Sequence, residues 1–187
     1  MNHIQGRIIL IGGYCAAGKS MFARRLSREL NIPCFEMDTI DETICDGFGP
    51  ESGVYKMESE NVAYDIILHI AERFMQTGKP VILESVFGLK RINEIKKMFE
   101  KYNYECLLFV FKGDPEVMFE RYVERDKNGE RHWIHHPGHK GWFINEMPKE
   151  KLEEAEIGQK IIVDTTSFEK VDYEALFAAA KKFIENN

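Results

Sequence analysis

Four residues near the N-terminus, Gly13, Gly18, Lys19 and Ser20, have the types and spacing that can bind a polyphosphate. They match the pattern G-x-x-x-x-G-K-S/T, in which backbone N–H groups surround the phosphates, the lysine reaches the β and γ phosphates and the hydroxyl ligates Mg²⁺. Glycine suits such a loop because it adopts positive φ angles without a Cβ clash, which lets the amides turn inward. The sequence therefore predicts a phosphate-binding loop with Ser20 as a metal ligand.

An apolar run, Ile8 to Ile11, precedes this loop, and a helical pattern, Ser20 to Leu30, follows it. The phosphates would then lie at a helix N-terminus, where free amides and the helix dipole favour negative charge. A chance glycine turn beside a surface lysine is the alternative, and the strand and helix around the motif argue against it. We expect the helix residues Arg24, Arg25 and Arg28 to face solvent. The residues expected to contact a nucleotide are Gly13, Cys15, Ala16, Ala17, Gly18, Lys19, Ser20 and Met21.

Two carboxylates follow further predicted strands and could act at the same edge of a sheet. Asp38 comes directly after a short strand pattern, Cys34 to Met37. It could take the proton from an acceptor hydroxyl, and a helix N-terminal cap is an alternative or simultaneous role. Glu84 ends the apolar run Val81 to Leu83, which is typical of a buried parallel strand. It could hold a magnesium-bound water or orient the attacking group, with a solvated strand end as the alternative.

A segment without a clear hydrophobic period, residues 126–147, follows a helical pattern. Such a long irregular segment in a compact domain is usually functional, so we predict a lid over about residues 121–147. Arginine presents a rigid fork of donors that suits phosphate, which makes Arg121, Arg125 and Arg131 candidates for contact with the transferring group. Pairing with neighbouring glutamates on a solvated helix is the alternative.

The cysteines, and the histidines of the predicted lid, fit no zinc-binding pattern. No two of the four cysteines have C-x-x-C spacing, which fits reduced thiols. The lid histidines are at positions 132, 135, 136 and 139, and no cysteine lies near enough in the sequence to complete a site. We therefore expect these histidines to belong to a polar lid that contacts phosphates.

Composition limits the remaining possibilities. A chain of 187 residues with 44% hydrophobic content can bury one core, so we expect a single domain over residues 1–187. The formal net charge of −6 provides no overall positive field for nucleic acid, which makes nucleic acid an unlikely partner. No apolar segment is long enough for a membrane span or a signal peptide, and we expect a cytoplasmic protein without membrane contact.

Predicted strands alternate with predicted helices, which indicates an α/β fold with a parallel sheet between two helix layers. With its loop GGYCAAGKS, an acid after the second strand and an arginine-bearing lid, the chain resembles P-loop kinases of the small-molecule and nucleotide type. This group holds shikimate, gluconate and nucleoside monophosphate kinases. The layout is more closely similar to that of AAA-domain kinase-like proteins, over nearly the whole chain.

The resemblance implies a three-layer α/β/α P-loop NTPase fold with a five-stranded parallel sheet of order 2-3-1-4-5 and a lid insertion. It also implies ATP as donor with Mg²⁺, and catalytic positions at Lys19, Asp38, Glu84, Arg121 and Arg125. Two features differ from the usual pattern. Glu84 stands where aspartate is commoner, and Asp38 lacks the paired aspartate of shikimate kinases.

These observations favour an ATP-dependent phosphotransferase that moves the γ-phosphoryl group to a hydroxyl or phosphate of a small molecule, as a monomer or homodimer. A polynucleotide 5′-hydroxyl kinase is one alternative, and it should have a basic groove. A non-kinase ATP-binding regulatory module is another, and it should produce no ADP in response to an acceptor.

Overall fold

A computed structural model of the chain describes residues 6–50, 56–129, 131–135 and 139–186. These residues form five strands and seven α-helices, with one or two helices between consecutive strands. The strands are β1 (Gly6–Gly13), β2 (Cys34–Glu36), β3 (Val81–Glu84), β4 (Tyr104–Lys112) and β5 (Gln159–Asp164). The helices are α1 (Lys19–Leu30), α2 (Met37–Phe48), α3 (Lys56–Thr77), α4 (Leu89–Tyr102), α5 (Pro115–Lys127), α6 (Lys140–Asn145) and α7 (Tyr173–Glu185).

The five strands form one parallel sheet of order β2-β3-β1-β4-β5, which confirms the predicted fold class and strand order. The central strand β1 is fully buried over Ile8 to Ile11 because helices cover both faces of the sheet. Ile8 and Leu10 pack with residues of α3 and α4 on one face. Ile9 and Ile11 pack with residues of α1 and α7 on the other. This arrangement is the three-layer architecture, and its core comes from alternate side chains of the same strand.

The phosphate-binding loop leaves the carboxyl end of β1, in the middle of the sheet. Gly13 has a φ of 117°, and a Cβ there would collide with the Phe111 carbonyl group of β4. Gly18 has a φ of 85° and directly precedes α1. Both positions therefore require glycine, one for close approach of a neighbouring strand and both for backbone conformation.

Two predicted boundaries were wrong. The turn-forming residues of the stretch 46–53 predict a loop, but α2 continues through Asp46 to Phe48, because its inner face packs on α3 and buries Asp41 and Cys45. Gly49, with a φ of 80°, then ends the helix. Residues 51–53 of that expected loop lie outside the described residues. The charged stretch 149–156 predicts a short helix, but the structure has two 3₁₀ turns in this region, Met147–Glu150 and Leu152–Glu154.

The segment predicted as a lid, about 121–147, contains more helix than its sequence suggests. The helix α5 continues to Lys127, with Met118 and Tyr122 on its buried side. The short helix α6 lies within the segment, and its Phe143 packs edge-on against Phe119 and Tyr122. Aromatic packing therefore holds both ends of the segment against the domain. Among the described residues, no helix is long and apolar enough to cross a membrane.

Candidate active site

The loop between β1 and α1 places Lys19 at the floor of a cavity. Its side chain is only 8% exposed, and the ammonium nitrogen Nζ donates to the Tyr14 carbonyl oxygen at 2.9 Å. The same nitrogen lies 3.9 Å from Glu84 Oε1, at the end of β3. The charge of Lys19 is thus held between the loop backbone and the neighbouring strand.

Ser20 and Glu84 also meet at this floor. The Ser20 hydroxyl donates to Glu84 Oε2 at 3.1 Å. The contact exists because β1 and β3 are adjacent in parallel register, with Ile11 opposite Glu84, so that both strands end at the same edge. A hydroxyl and a carboxylate oxygen are ligands that Mg²⁺ accepts, and Mg²⁺ usually takes its other ligands from water and substrate phosphates. The donor set therefore fits the metal, with Ser20 as direct ligand and Glu84 as the acid beside it.

Burial first, and then the nearby carboxylates of Asp38 and Glu36, raise the pKa of Glu84, which is about 7. Lys19 and the hydrogen bond from Ser20 act in the opposite direction but do not cancel the effect of burial. A cation bound beside Glu84 would favour the ionised carboxylate. The Glu84 carboxyl group therefore changes its charge near neutral pH in the ligand-free protein.

Asp38 lies in the first turn of α2 and lines the same cavity as Lys19 and Ser20. The helix begins at Met37 with Glu36 at the N-cap position, so Asp38 is not the capping residue. Its negative charge still suits the positive end of the helix dipole. With the residues that the structure describes, its exposed carboxylate makes no hydrogen bond or ion pair, and it is accessible from the cavity.

Glu36 is a cavity residue that the sequence reasoning missed. It ends β2 directly opposite Glu84, and its carboxylate binds Arg24 of α1 through Nε at 2.8 Å and Nη2 at 2.8 Å. Both partners line the cavity, as does Arg28 one turn further along α1. Arg24 and Arg28 are exposed, as expected, and they also line the cavity. Arg24 and Arg28 are four residues apart, on the face of α1 opposite the buried Phe22 and Leu26. This spacing was the sequence signal that could have indicated a shared role for the two arginines.

The three candidate lid arginines all line the cavity, and two of them have aromatic partners. Arg121 donates to the carbonyl oxygens of Thr165 at 2.6 Å and Thr166 at 3.0 Å, and its guanidinium lies 3.8 Å from the Phe168 ring centre. The guanidinium of Arg131 lies 3.5 Å from the ring centre of Tyr122. Neither Arg121 nor Arg125 forms an ion pair with a glutamate in the described part of the chain.

Residues 131–135, which we call the strap, contact the outer side of α2. His132 Nε2 lies 2.9 Å from Asp46 Oδ1, and Trp133 Nε1 donates to the same oxygen at 3.2 Å. His135 Nε2 lies 2.9 Å from Glu42 Oε1. The hydrogen bonds from His132 and Trp133 lower the pKa of Asp46. The strap thus joins the end of α5 to α2 along one side of the cavity.

The enclosed space is large enough for a nucleotide and a small acceptor. Its volume is about 950 Å³, and it reaches from the phosphate-binding loop to α2, α5 and the strap. Of the residues expected to contact a nucleotide, Cys15, Ala16, Gly18, Lys19, Ser20 and Met21 line it. Gly13 and Ala17 are buried beneath the loop instead. Among the described residues, no group of three or more histidine, cysteine, aspartate or glutamate side chains could hold a metal ion alone.

Comparisons with known proteins agree with this architecture. A "putative kinase" from Chloroflexus aurantiacus has a TM-score of 0.81 at 20% identity, with 97% of each chain covered. A gluconokinase from Sinorhizobium meliloti 1021 has a TM-score of 0.54 at 15% identity, covering 98% of this chain and 99% of the other. A sugar kinase from Janibacter sp. HTCC2649 has a TM-score of 0.54 at 14% identity, covering 96% and 94%. At these identities the likeness shows the fold.

No curated protein matches the chain. A family model described as AAA domain matches residues 8–135, which includes most of β1, the phosphate-binding loop, Asp38, Glu84 and the whole strap. That match spans more than half of the chain. The protein therefore belongs to this AAA-domain family, and its fold is that of the P-loop kinase-like proteins.

Proposed function

We propose that the protein transfers the γ-phosphoryl group of ATP to a hydroxyl group of a small molecule. One observation carries this proposal: Lys19 and Ser20, with the buried Glu84 in contact with both, lie at the floor of the same cavity that the accessible carboxylate of Asp38 lines. The first three suit a polyphosphate with its metal, and the fourth suits a proton acceptor. A switch or regulatory module would need the phosphate site but not the second carboxylate.

The proposed reaction balances with the groups present. The acceptor hydroxyl attacks the γ-phosphorus, its proton passes to an oxygen of Asp38, and the bond from the γ-phosphorus to the β–γ bridging oxygen breaks, so that ADP leaves with the electron pair. Lys19 would bind the oxygens whose charge changes during transfer, and Arg125 would approach them from α5. Mg²⁺, when held by Ser20 with Glu84 beside it, neutralises charge on the β and γ phosphates. Most of the acceleration would come from positioning and charge neutralisation.

Arg121 has a different role in this proposal from the one that the lid pattern suggested. Two of its N–H groups already bind carbonyl oxygens of the loop after β5, and Phe168 stacks on its guanidinium. Phe168 also lies next to Gly18, where a Cβ would approach its ring to 3.0 Å. We infer that the stacked side chains of Arg121 and Phe168, which lie next to Gly18, flank the nucleobase. Arg125 would then contact the transferring phosphate.

The structural neighbours that are named gluconokinase and sugar kinase support a polyhydroxyl compound as the acceptor. Because these likenesses are low in identity, they support the class of acceptor and not a particular compound. A phosphate acceptor is already ionised and would need no base at Asp38. The accessible position of Asp38 therefore favours an alcohol.

The test is ADP release measured with ATP and a panel of sugars, sugar acids, nucleosides, nucleotides, aminoglycosides and oligonucleotides. Wild type is compared with Lys19→Met and with Lys181→Met, an exposed lysine of α7 that serves as the control. We expect ADP release that depends on one small acceptor, is lost in Lys19→Met and is kept in Lys181→Met. ADP release that no acceptor increases would favour a regulatory module. Transfer restricted to oligonucleotides and steeply weakened by salt would favour a polynucleotide kinase.

A further inference from the structure

The strand β5 forms one edge of the sheet, and its outer side is open. Among the described strands it pairs only with β4. Just after β5, the Thr165 N–H donates to the Lys112 carbonyl oxygen of β4 at 2.7 Å. Because the backbone groups of successive residues point to alternate sides of a strand, those of Lys160, Ile162 and Asp164 point away from β4. No other described residue forms a backbone hydrogen bond with these outward groups.

The same three residues also expose their side chains, on one face of β5. The side chains of Ile161 and Val163 pack with the core on the α1 and α7 side. Those of Lys160, Ile162 and Asp164 alternate with them and are exposed, and Ile162 is 56% exposed. An exposed isoleucine on an unpaired strand edge is a template for pairing with another strand.

The opposite edge of the sheet is protected in a way that β5 is not. The edge strand β2 has three residues, whereas β5 has six. Pro33 precedes β2 directly, and its last residue, Glu36, is bound by Arg24. Short edge strands offer few backbone groups to another chain, which is a common protection against pairing. The length of β5 provides no such protection.

A lysine on an edge strand can also prevent pairing, and Lys160 is the residue that could act in this way. Its Nζ donates to the carbonyl oxygens of Glu153 and Ala155, each at 2.8 Å, so the ammonium group is directed to its own chain. One of its three N–H donors remains for a further partner. Asp164 likewise accepts from the Thr166 N–H through Oδ1 and has a second oxygen. Both charged groups can therefore bind across an interface without leaving their present partners.

The order of the three exposed residues is self-complementary. In an antiparallel pair of two β5 strands centred on Ile162, each Lys160 lies opposite Asp164 of the other copy, and the two Ile162 side chains lie opposite each other. Directly opposed opposite charges and apolar side chains stabilise an antiparallel pair. At each of these positions the backbone groups of both strands point outward, so the opposed residues exchange both N–H···O bonds. A shift of the register to the next matching position places Ile162 opposite a charged residue.

We propose that two copies of this chain associate through β5, as antiparallel neighbours about a two-fold axis that passes between the two Ile162 residues. The interface is isologous, because the same strand contributes from both copies. Pairing of two edges buries little surface, so the association is weak and is seen at high chain concentration. The two-fold axis reverses the second sheet, and the two cavities lie at opposite ends of the joined sheet. The inference is therefore independent of the proposed function.

Sedimentation velocity from low micromolar to millimolar chain concentration tests the association. The mass of wild type should rise from 21.8 kDa towards twice that value. Ile162→Lys places like charges opposite each other at the two-fold axis and should raise the dimer Kd by at least about tenfold. The control is Val62→Lys, at an apolar position of α3 that is 49% exposed, and it should associate like wild type.

A charge exchange tests the register. Lys160→Glu places the introduced glutamate opposite Asp164, and Asp164→Lys places the introduced lysine opposite Lys160, so each variant alone should associate more weakly than wild type. In an equimolar mixture of the two variants, both opposed pairs again join opposite charges. The mixture should therefore form a heterodimer with about the wild-type affinity. That result would also show that neither substitution had disturbed the fold.

Amide hydrogen exchange followed residue by residue identifies the surface. The Ile162 N–H should exchange more slowly as the chain concentration rises, whereas the Val163 N–H, which points to β4, should not change. A monomer mass at every concentration would overturn the inference, as would equal effects of Ile162→Lys and Val62→Lys. A dimer in which Ile162 exchange stays fast uses another surface and also contradicts it. A mixture that associates no better than its components would overturn the assigned register.

Discussion

The floor of the cavity and the strap beside it are built in opposite ways. Lys19, Ser20 and Glu84 form the floor, and the side chains of Lys19 and Glu84 are 8% and 4% exposed. The strap is held by His132 and Trp133 on Asp46, whose side chain is 64% exposed. Groups at the floor come from the central strands and the start of α1, whereas strap contacts join surface side chains of two separate segments.

This difference separates what must be fixed from what must move. The register of β1 against β3 sets the position of the floor, so the phosphate site is formed before any ligand arrives. The strap binds carboxylates of α2 that are more exposed than the groups of the floor, and such hydrogen bonds compete with water, so we propose that the strap opens for exchange of substrate and product. We therefore expect changes at the floor to alter chemistry or stability strongly, and changes at the strap to alter access.

The largest effect is expected from Lys19→Met, which removes the cation of the floor. We predict that kcat/KM falls by about 10³, comparable to the loss of a transition-state charge donor in other enzymes. The measurement is ADP release with the best acceptor of the panel. Lys181→Met should retain wild-type activity, and a loss below tenfold in Lys19→Met would show that the buried lysine does not contact the transferring phosphate.

Glu84→Gln tests the electrostatics of the floor without substrate. Because the pKa of Glu84 is about 7 in the folded protein against an ordinary value of 4.5, this carboxyl binds more protons in the native state than in the unfolded state between these pH values. The contribution of Glu84 to the free energy of unfolding should then fall as pH rises from about 4.5 to about 7, by about 3 kcal/mol. Glu84→Gln cannot ionise and should lack this decline. Urea unfolding from pH 4.5 to 8 provides the measurement.

Glu100→Gln, at an exposed position of α4, is the matched control for that experiment. It should follow the wild-type pH dependence. Parallel curves for wild type and Glu84→Gln would mean that the buried acid ionises in its ordinary range. The floor would then be less desolvated than the exposure of its side chains indicates.

The sequence predicted the floor better than the rest of the site, for a physical reason. Lys19 and Ser20 belong to one local motif, and Glu84 ends a continuous apolar strand, so their meeting follows from parallel pairing. The pair Arg24–Glu36 depends on how α1 packs across the end of β2, which local pattern does not specify. The strap contacts join residues more than 80 positions apart, His132 to Asp46 and His135 to Glu42, and no local pattern specifies such pairs.

Asp38→Asn should lower activity less than a substitution in the floor does and more than a substitution at the strap does. Its carboxylate is accessible like a strap residue, but it is proposed to take the acceptor proton, and loss of a general base costs about 10² in kcat. The affinity for a non-hydrolysable ATP analogue should stay at the wild-type value, because Asp38 does not contact the phosphate-binding loop. An unchanged kcat would indicate that the acceptor is already ionised, as a phosphate would be.

The smallest effect is expected from Asp46→Ala, which removes the carboxylate that binds both His132 and Trp133. We predict that the acceptor KM rises about threefold to tenfold with little change in kcat, since access and not chemistry depends on the strap. Asp65→Ala, on the exposed side of α3, is the control. Amide hydrogen exchange should accelerate at residues 131–135 and stay unchanged in β1 and β3. Equal acceleration at the strap and the central strands would show that the two regions open together, and the contrast between a fixed floor and a movable strap would then be wrong.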